Sequence, residues 1–94
     1  MTSSRKIKDC SNLCKVLSKI DDEKSVDKLL QDLFTSKEMR DAASRLEVAR
    51  LLDQGISYVE IERQTGASAT TIARVSKCLA RGSGGYRLAL PMLD

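Results

Sequence analysis

The chain has 94 residues, with three Cys, no His, no Trp and a net charge of +3. That length suits one small domain, and the missing imidazole excludes a four-ligand zinc site completed by thiolate and His. A membrane-spanning helix is excluded as well, because no apolar run approaches the roughly 20 residues needed.

Met1 to Lys8 is polar and lacks the apolar stretch of a secretory signal. Read this way, the chain stays in the cytoplasm with reduced thiols. Lys6 to Ile20 carries Ile7, Cys10, Leu13, Cys14, Leu17 and Ile20 at the spacing of one helical stripe. Cys10 and Cys14 read as small apolar fillers of that stripe. Asp21 and Asp22 offer caps for a second helix, running to about Phe34 over Val26, Leu29, Leu30 and Leu33. Thr35 with Glu38 forms a capping-box pattern for a third. It runs over Ala42, Leu46, Ala49 and Leu52 and stops near Gly55, a left-handed exit.

Ser57 with Glu60 repeats the capping box and opens a short fourth helix that Gly66 interrupts. Ser68 caps a fifth, from Ala69 to Ala80, closed by Gly82. Two helices joined by a three- or four-residue turn containing glycine form a helix-turn-helix. Ile61, Ala67, Ile72 and Val75 stand where such helices bury side chains against each other. Glu62 and Thr65 are bulkier or more polar than those contacts require, so the motif reads as loosely held. The segment Gly82-Ser83-Gly84-Gly85, with three glycines in four residues, gives the fifth helix a flexible C-terminal anchor.

Charge is unevenly spread. Met1 to Phe34 holds seven basic and six acidic residues, Thr35 to Ile56 four of each, and Ser68 to Asp94 four basic against Asp94 alone. A surplus of this sign at one end points to a polyanionic partner. On the fifth helix Ile72, Val75 and Leu79 form the inner face. Thr70, Arg74, Lys77 and Arg81 form the outer one, where solvated faces would mix signs. Its first turn, Ala69-Thr70-Thr71, is small and polar and can approach base edges. With one Phe and two Tyr, a core of Leu, Ile, Val and Ala is thin, and subunit association is the usual remedy. No catalytic residue is assigned, since a Ser or Cys without a base is no active site. No metal site is assigned either.

Across Leu33 to about Leu79 the sequence resembles the Trp repressor superfamily, and within it the TrpR-related YerC/YecD family. The resemblance rests on "LFTSKE", on Arg45, on "LL" before a glycine and on "TGASATTIARVSK". The tail "GSGGYRL", Gly82 to Leu88, is similar to the YerC/YecD branch in particular. It implies an all-α, Trp-repressor-like helical domain with a helix-turn-helix, built as an intertwined homodimer. Residues 1–94 would form one domain, with dimerisation helices at 1–56 and the helix-turn-helix at 57–81. A short last helix would occupy 86–94, from Tyr86 to Leu93, bent or shortened by Pro91.

The resemblance also implies a function: sequence-specific, DNA-binding transcriptional regulation, as a repressor, in the bacterial cytoplasm at the nucleoid. The partners are a double-stranded DNA operator and a second copy, with no membrane. The expected DNA-binding set is Ser57, Ser68, Ala69, Thr70, Thr71, Arg74, Lys77 and Arg81. Val59 and Glu62 stand where the founding repressor places a base-contacting arginine and a phosphate-contacting lysine, so the operator should differ. The founding repressor holds L-tryptophan between two arginines, matched here by Arg45 and Arg74, with Cys78 where its ligand-contacting serine lies. Val75 and Cys78 oppose tryptophan by bulk and by weak hydrogen bonding, so L-tryptophan or another small effector is an option only, and no cofactor is expected. The rival reading is a helical protein–protein interaction module without DNA affinity.

Overall fold

The computed structural model describes residues 2–93, with side chains from Cys10 onward. The described residues form α1 (Thr2–Lys19), α2 (Glu23–Leu33), α3 (Ser36–Asp53), α4 (Tyr58–Thr65), α5 (Ala69–Arg81) and α6 (Gly85–Ala89), then a 3-10 turn, Leu90–Leu93. They fall into two compact units, Met1–Ser36 and Lys37–Asp94.

The first unit is α1 and α2. Asp22 is extended and its carboxylate accepts the Ser25 N–H at 2.9 Å, which caps α2 as its position predicts. Leu13, Leu17, Ile20, Val26, Leu29 and Leu30 are half-buried, and among the described side chains of this unit none is fully enclosed. Ile7 lies outside the described side chains. Cys10 and Cys14, expected as fillers, are exposed. Two helices alone have too little depth to enclose the flanks of an apolar stripe.

The second unit holds the core. Val48, Ala49 and Leu51 of α3 meet Ile61 of α4 and Ile72 and Val75 of α5, all buried. Leu52, Ile56, Ala67, Leu79, Tyr86 and Leu90 pack around them. The face that α3 buries differs from the expected one. Ala49 and Leu52 belong to it, but Val48 and Leu51 are buried beside Ala49, Leu46 is half-buried and Ala42 is exposed. The helix is apolar on two adjacent faces, and periodicity alone does not say which one the neighbouring helices take.

Gly55 exits α3 with φ 81°. Ser57 then caps α4 by accepting the Glu60 N–H at 3.2 Å, and Gly66 ends it at φ 74°, ψ 2°. The sequence reading treated Thr65 as a poor fit, yet its hydroxyl closes the turn. It donates to the Ile61 carbonyl at 2.7 Å and accepts the Ala67 N–H at 3.1 Å. A group that looks too polar for the contact thus gives the Ala67 N–H of the turn an acceptor and adds a side-chain donor to the Ile61 carbonyl. Ser68 caps α5 through the Thr71 N–H at 3.1 Å. At the far end Pro91 has no N–H to offer the carbonyl four residues back, so α6 stops at Ala89 and the chain tightens into its 3-10 turn.

A Cβ on Gly66 would meet nothing within 4 Å, so only its left-handed backbone resists substitution. Gly66→Ala should cost about 1–2 kcal/mol. Gly66→Asn should cost less, because asparagine tolerates this region. Thermal unfolding of the two variants checks the order, and equal losses would mean that the turn geometry is not the cause.

Candidate nucleic-acid interface

The outer face of α5 is built by simple periodicity. Burying Ile72 and Val75 turns Thr70, Arg74, Lys77 and Arg81 outward, and all four are exposed. Ser68, Ala69 and Thr70 are also exposed, at the start of the same helix. Thr71 is not. It is half-buried, its hydroxyl accepts from Ser68 Oγ at 3.1 Å, and its side chain faces two cavities beside α3. Ser57 caps the opposite end of α4, one eight-residue helix from the turn, a separation of about 12 Å by helical rise. The expected set therefore divides. Ser68, Ala69, Thr70, Arg74, Lys77 and Arg81 share α5 and its cap, Thr71 supports the helix start, and Ser57 stands apart.

Electrostatics set α5 off from its surroundings. In this unit Lys37 pairs with Asp41 at 2.9 Å, Arg50 with Glu47 at 2.5 Å, Arg63 with Glu60 and Arg87 with Asp53 at 3.0 Å. The Arg63 guanidinium, helped by the Gln64 amide, holds the Glu60 carboxyl down at about 2. Lys37 lowers Asp41 in the same way, and Arg50 lowers Glu47. These acids are thus ionised and engaged with local bases. Among the described residues none forms an ion pair with Arg74, Lys77 or Arg81. Val59 and Glu62 are exposed on α4 and add no positive charge.

The expected effector residues also come together. Arg45 of α3 and Arg74 and Cys78 of α5 line one cavity of about 330 Å³, with Thr71, Val75 and Tyr86. That volume is at the small end for a ligand pocket, roughly 300–1,000 Å³. Val75 is both wall and core residue, being 3% exposed. Tyr86 was missed as a wall. Its only sequence signal was to be one of two tyrosines, placed just after the glycine segment. A second cavity of about 360 Å³ lies where Lys37, Asp41, Ser44 and Arg45 of α3 face the turn from Thr65 to Ser68.

Comparison with known proteins agrees with this architecture. The Trp repressor protein family matches residues 8–94. The uncharacterized protein YerC of Bacillus subtilis (strain 168) is 48% identical over 63 residues. That stretch is 67% of this chain and 61% of YerC, so the chain spans less than two thirds of that relative. A crystal structure of a proposed Trp repressor from Staphylococcus aureus superposes with a TM-score of 0.84 at 29% identity, covering 92% of this chain and 86% of that one. Among the described residues no helix is long and apolar enough to cross a membrane. With 87 of its 94 residues matched, this helical chain belongs to the Trp repressor protein family.

Proposed function

We propose that the protein is a homodimeric, sequence-specific DNA-binding transcriptional regulator, acting as a repressor, that places α5 in the major groove. The observation that carries this reading is the exposed face of Arg74, Lys77 and Arg81, with which no acid among the described residues pairs, although Asp41, Glu47, Asp53 and Glu60 of the same unit are paired. Such a face attracts phosphates and releases their counterions. Ahead of it the helix start is short and uncharged, Ala69 and Thr70, which lets the backbone approach base edges. Ser68 is occupied as a cap and Thr71 is turned inward, so Thr70 is the hydroxyl best placed to read sequence. The protein's two roles for α5 are therefore separable by position. Lys77 and Arg81 hold phosphates, Arg74 spans phosphate and cavity, and Thr70 discriminates.

Lys77→Ala and Arg81→Ala should each weaken binding on every sequence and remove about one phosphate's share of the salt dependence. Thr70→Ala should instead change preference at defined base pairs by ~1–3 kcal/mol. Binding titrations against selected and scrambled duplexes at several salt concentrations separate the two. A uniform loss from all three variants would remove α5 from the groove.

Association supplies the second half of the reading. A core of six buried apolar residues is small for a unit of this length, and Leu33, Phe34, Leu88, Met92 and Leu93 are exposed. A dimer that covers them is the economical solution. Sedimentation should give twice the chain mass at sub-micromolar concentration, and a stable monomer of native helicity would refute the intertwined form.

Arg45 and Arg74 suit an anionic or polar effector, but Val75 and Cys78 narrow and dull the cavity for L-tryptophan. Operator affinity should therefore be unchanged by millimolar L-tryptophan. The pair Val75→Ala/Cys78→Ser, with alanine chosen because Val75 is buried, tests the cause: a gain with L-tryptophan in this variant alone would show that the two residues close the cavity to it. A gain of about tenfold in the unaltered protein, equivalent to about 1.4 kcal/mol of coupling, would overturn this reading of the two residues.

A further inference from the structure

We propose that Arg87 is a positioning residue that clamps the C-terminal end of α5, so that the angle of the helix is set by an arginine arriving from beyond the glycine segment. The inference rests on α5 being the DNA-contacting helix. Arg87 Nε donates to the Leu79 carbonyl at 3.3 Å, and its Nη1 donates to Asp53 Oδ1 at 3.0 Å. The two acceptors belong to different helices. Leu79 lies in the last turn of α5, where the helix ends before a following N–H can satisfy its carbonyl. Asp53 is the last residue of α3, where a carboxylate faces the negative end of its own helix. One guanidinium therefore neutralises a badly placed acid and completes an open carbonyl, as its planar fork allows and an ammonium does not.

The sequence reading had three glycines leaving α5 loosely anchored. The structure gives that segment a fixed entry as well as the clamp. Gly82 donates its N–H to the Cys78 carbonyl at 2.8 Å, and a Cβ on Gly82 would sit 2.5 Å from that same oxygen. The chain thus leaves α5 by a route open only to glycine, and Arg87 ties it back across α5 to α3. Tyr86, beside it, packs against the core that holds Ile72 and Val75.

The test combines amide hydrogen exchange with DNA binding on the full chain. Arg87→Ala should speed exchange at Arg81 and Gly82. It should also weaken binding to a duplex recovered from a random pool by about three- to fivefold, the upper range for an exposed pair. Arg87→Lys should behave like Arg87→Ala, since a single ammonium cannot serve both acceptors. The exchanged pair Asp53→Arg/Arg87→Asp should not recover the affinity, because a carboxylate at position 87 has no donor for the Leu79 carbonyl, and full recovery would reduce the clamp to a simple ion pair. Unchanged exchange in Arg87→Ala refutes the clamp. Faster exchange with unchanged affinity refutes its role in positioning. If the unaltered protein recovers no duplex, the DNA reading falls and the positioning role with it, while exchange still decides whether the clamp exists.

Discussion

Val48, Ile61 and Ile72, one from each of α3, α4 and α5, are each wholly enclosed, and the rest of the second unit depends on that contact. All three are β-branched and stiff about χ1, so three helices meet with little freedom to slide or roll. Fixing Ile72 inward fixes the opposite side of α5 outward. The exposed position of Thr70, Arg74, Lys77 and Arg81 is thus a consequence of packing. Among the described residues no ion pair on that face holds it in place. A core this small has little stability to spare, which is why single hydrogen bonds at the helix ends carry weight here.

The same economy governs charge. Three acids in the second unit are engaged by bases within one turn of their own helix, in the pairs Lys37–Asp41, Glu47–Arg50 and Glu60–Arg63. Pairs of this exposed kind contribute little stability. Arg63, the base nearest the turn in sequence, is engaged by Glu60 and is therefore a poorer phosphate ligand than its charge suggests. The positive field is concentrated on one helix face, which is the arrangement that orients a polyanion as well as attracting it.

Much of this was legible in the sequence because it is local. Asp22, Ser57 and Ser68 cap where their spacing says they should, and Gly55 and Gly66 turn left-handed. The inner and outer faces of α5 follow from periodicity, and so does the meeting of Arg45, Arg74 and Cys78 once α3 and α5 pack together. What was not legible is non-local or ambiguous. Val48 and Leu51 could not be preferred over Leu46 and Ala42 on one helix that is apolar on two sides. Tyr86 as a cavity wall and the Arg87–Asp53 pair, 34 residues apart, depend on where the last helix returns. Thr65 was misjudged for a different reason. Its polarity was weighed against an apolar contact, whereas its hydroxyl answers to the backbone.

These long-range and backbone-directed bonds change the meaning of the glycine-rich signals on either side of α5. A left-handed glycine before the helix and three glycines after it suggest mobility at both ends. At the first end, Thr65 bridges Ile61 to Ala67 and Ser68 holds Thr71, so the turn is bonded on each side of Gly66. At the second, Gly82 is required by a carbonyl that leaves no room for a side chain. At the first end glycine supplies a left-handed backbone and at the second a close approach, and other bonds secure both. The arrangement leaves Thr70 exposed at the start of a helix whose two ends are both restrained. A single hydroxyl can discriminate base pairs only from such a position, because a hydrogen bond loses its selectivity once its donor can wander by more than a few tenths of an ångström.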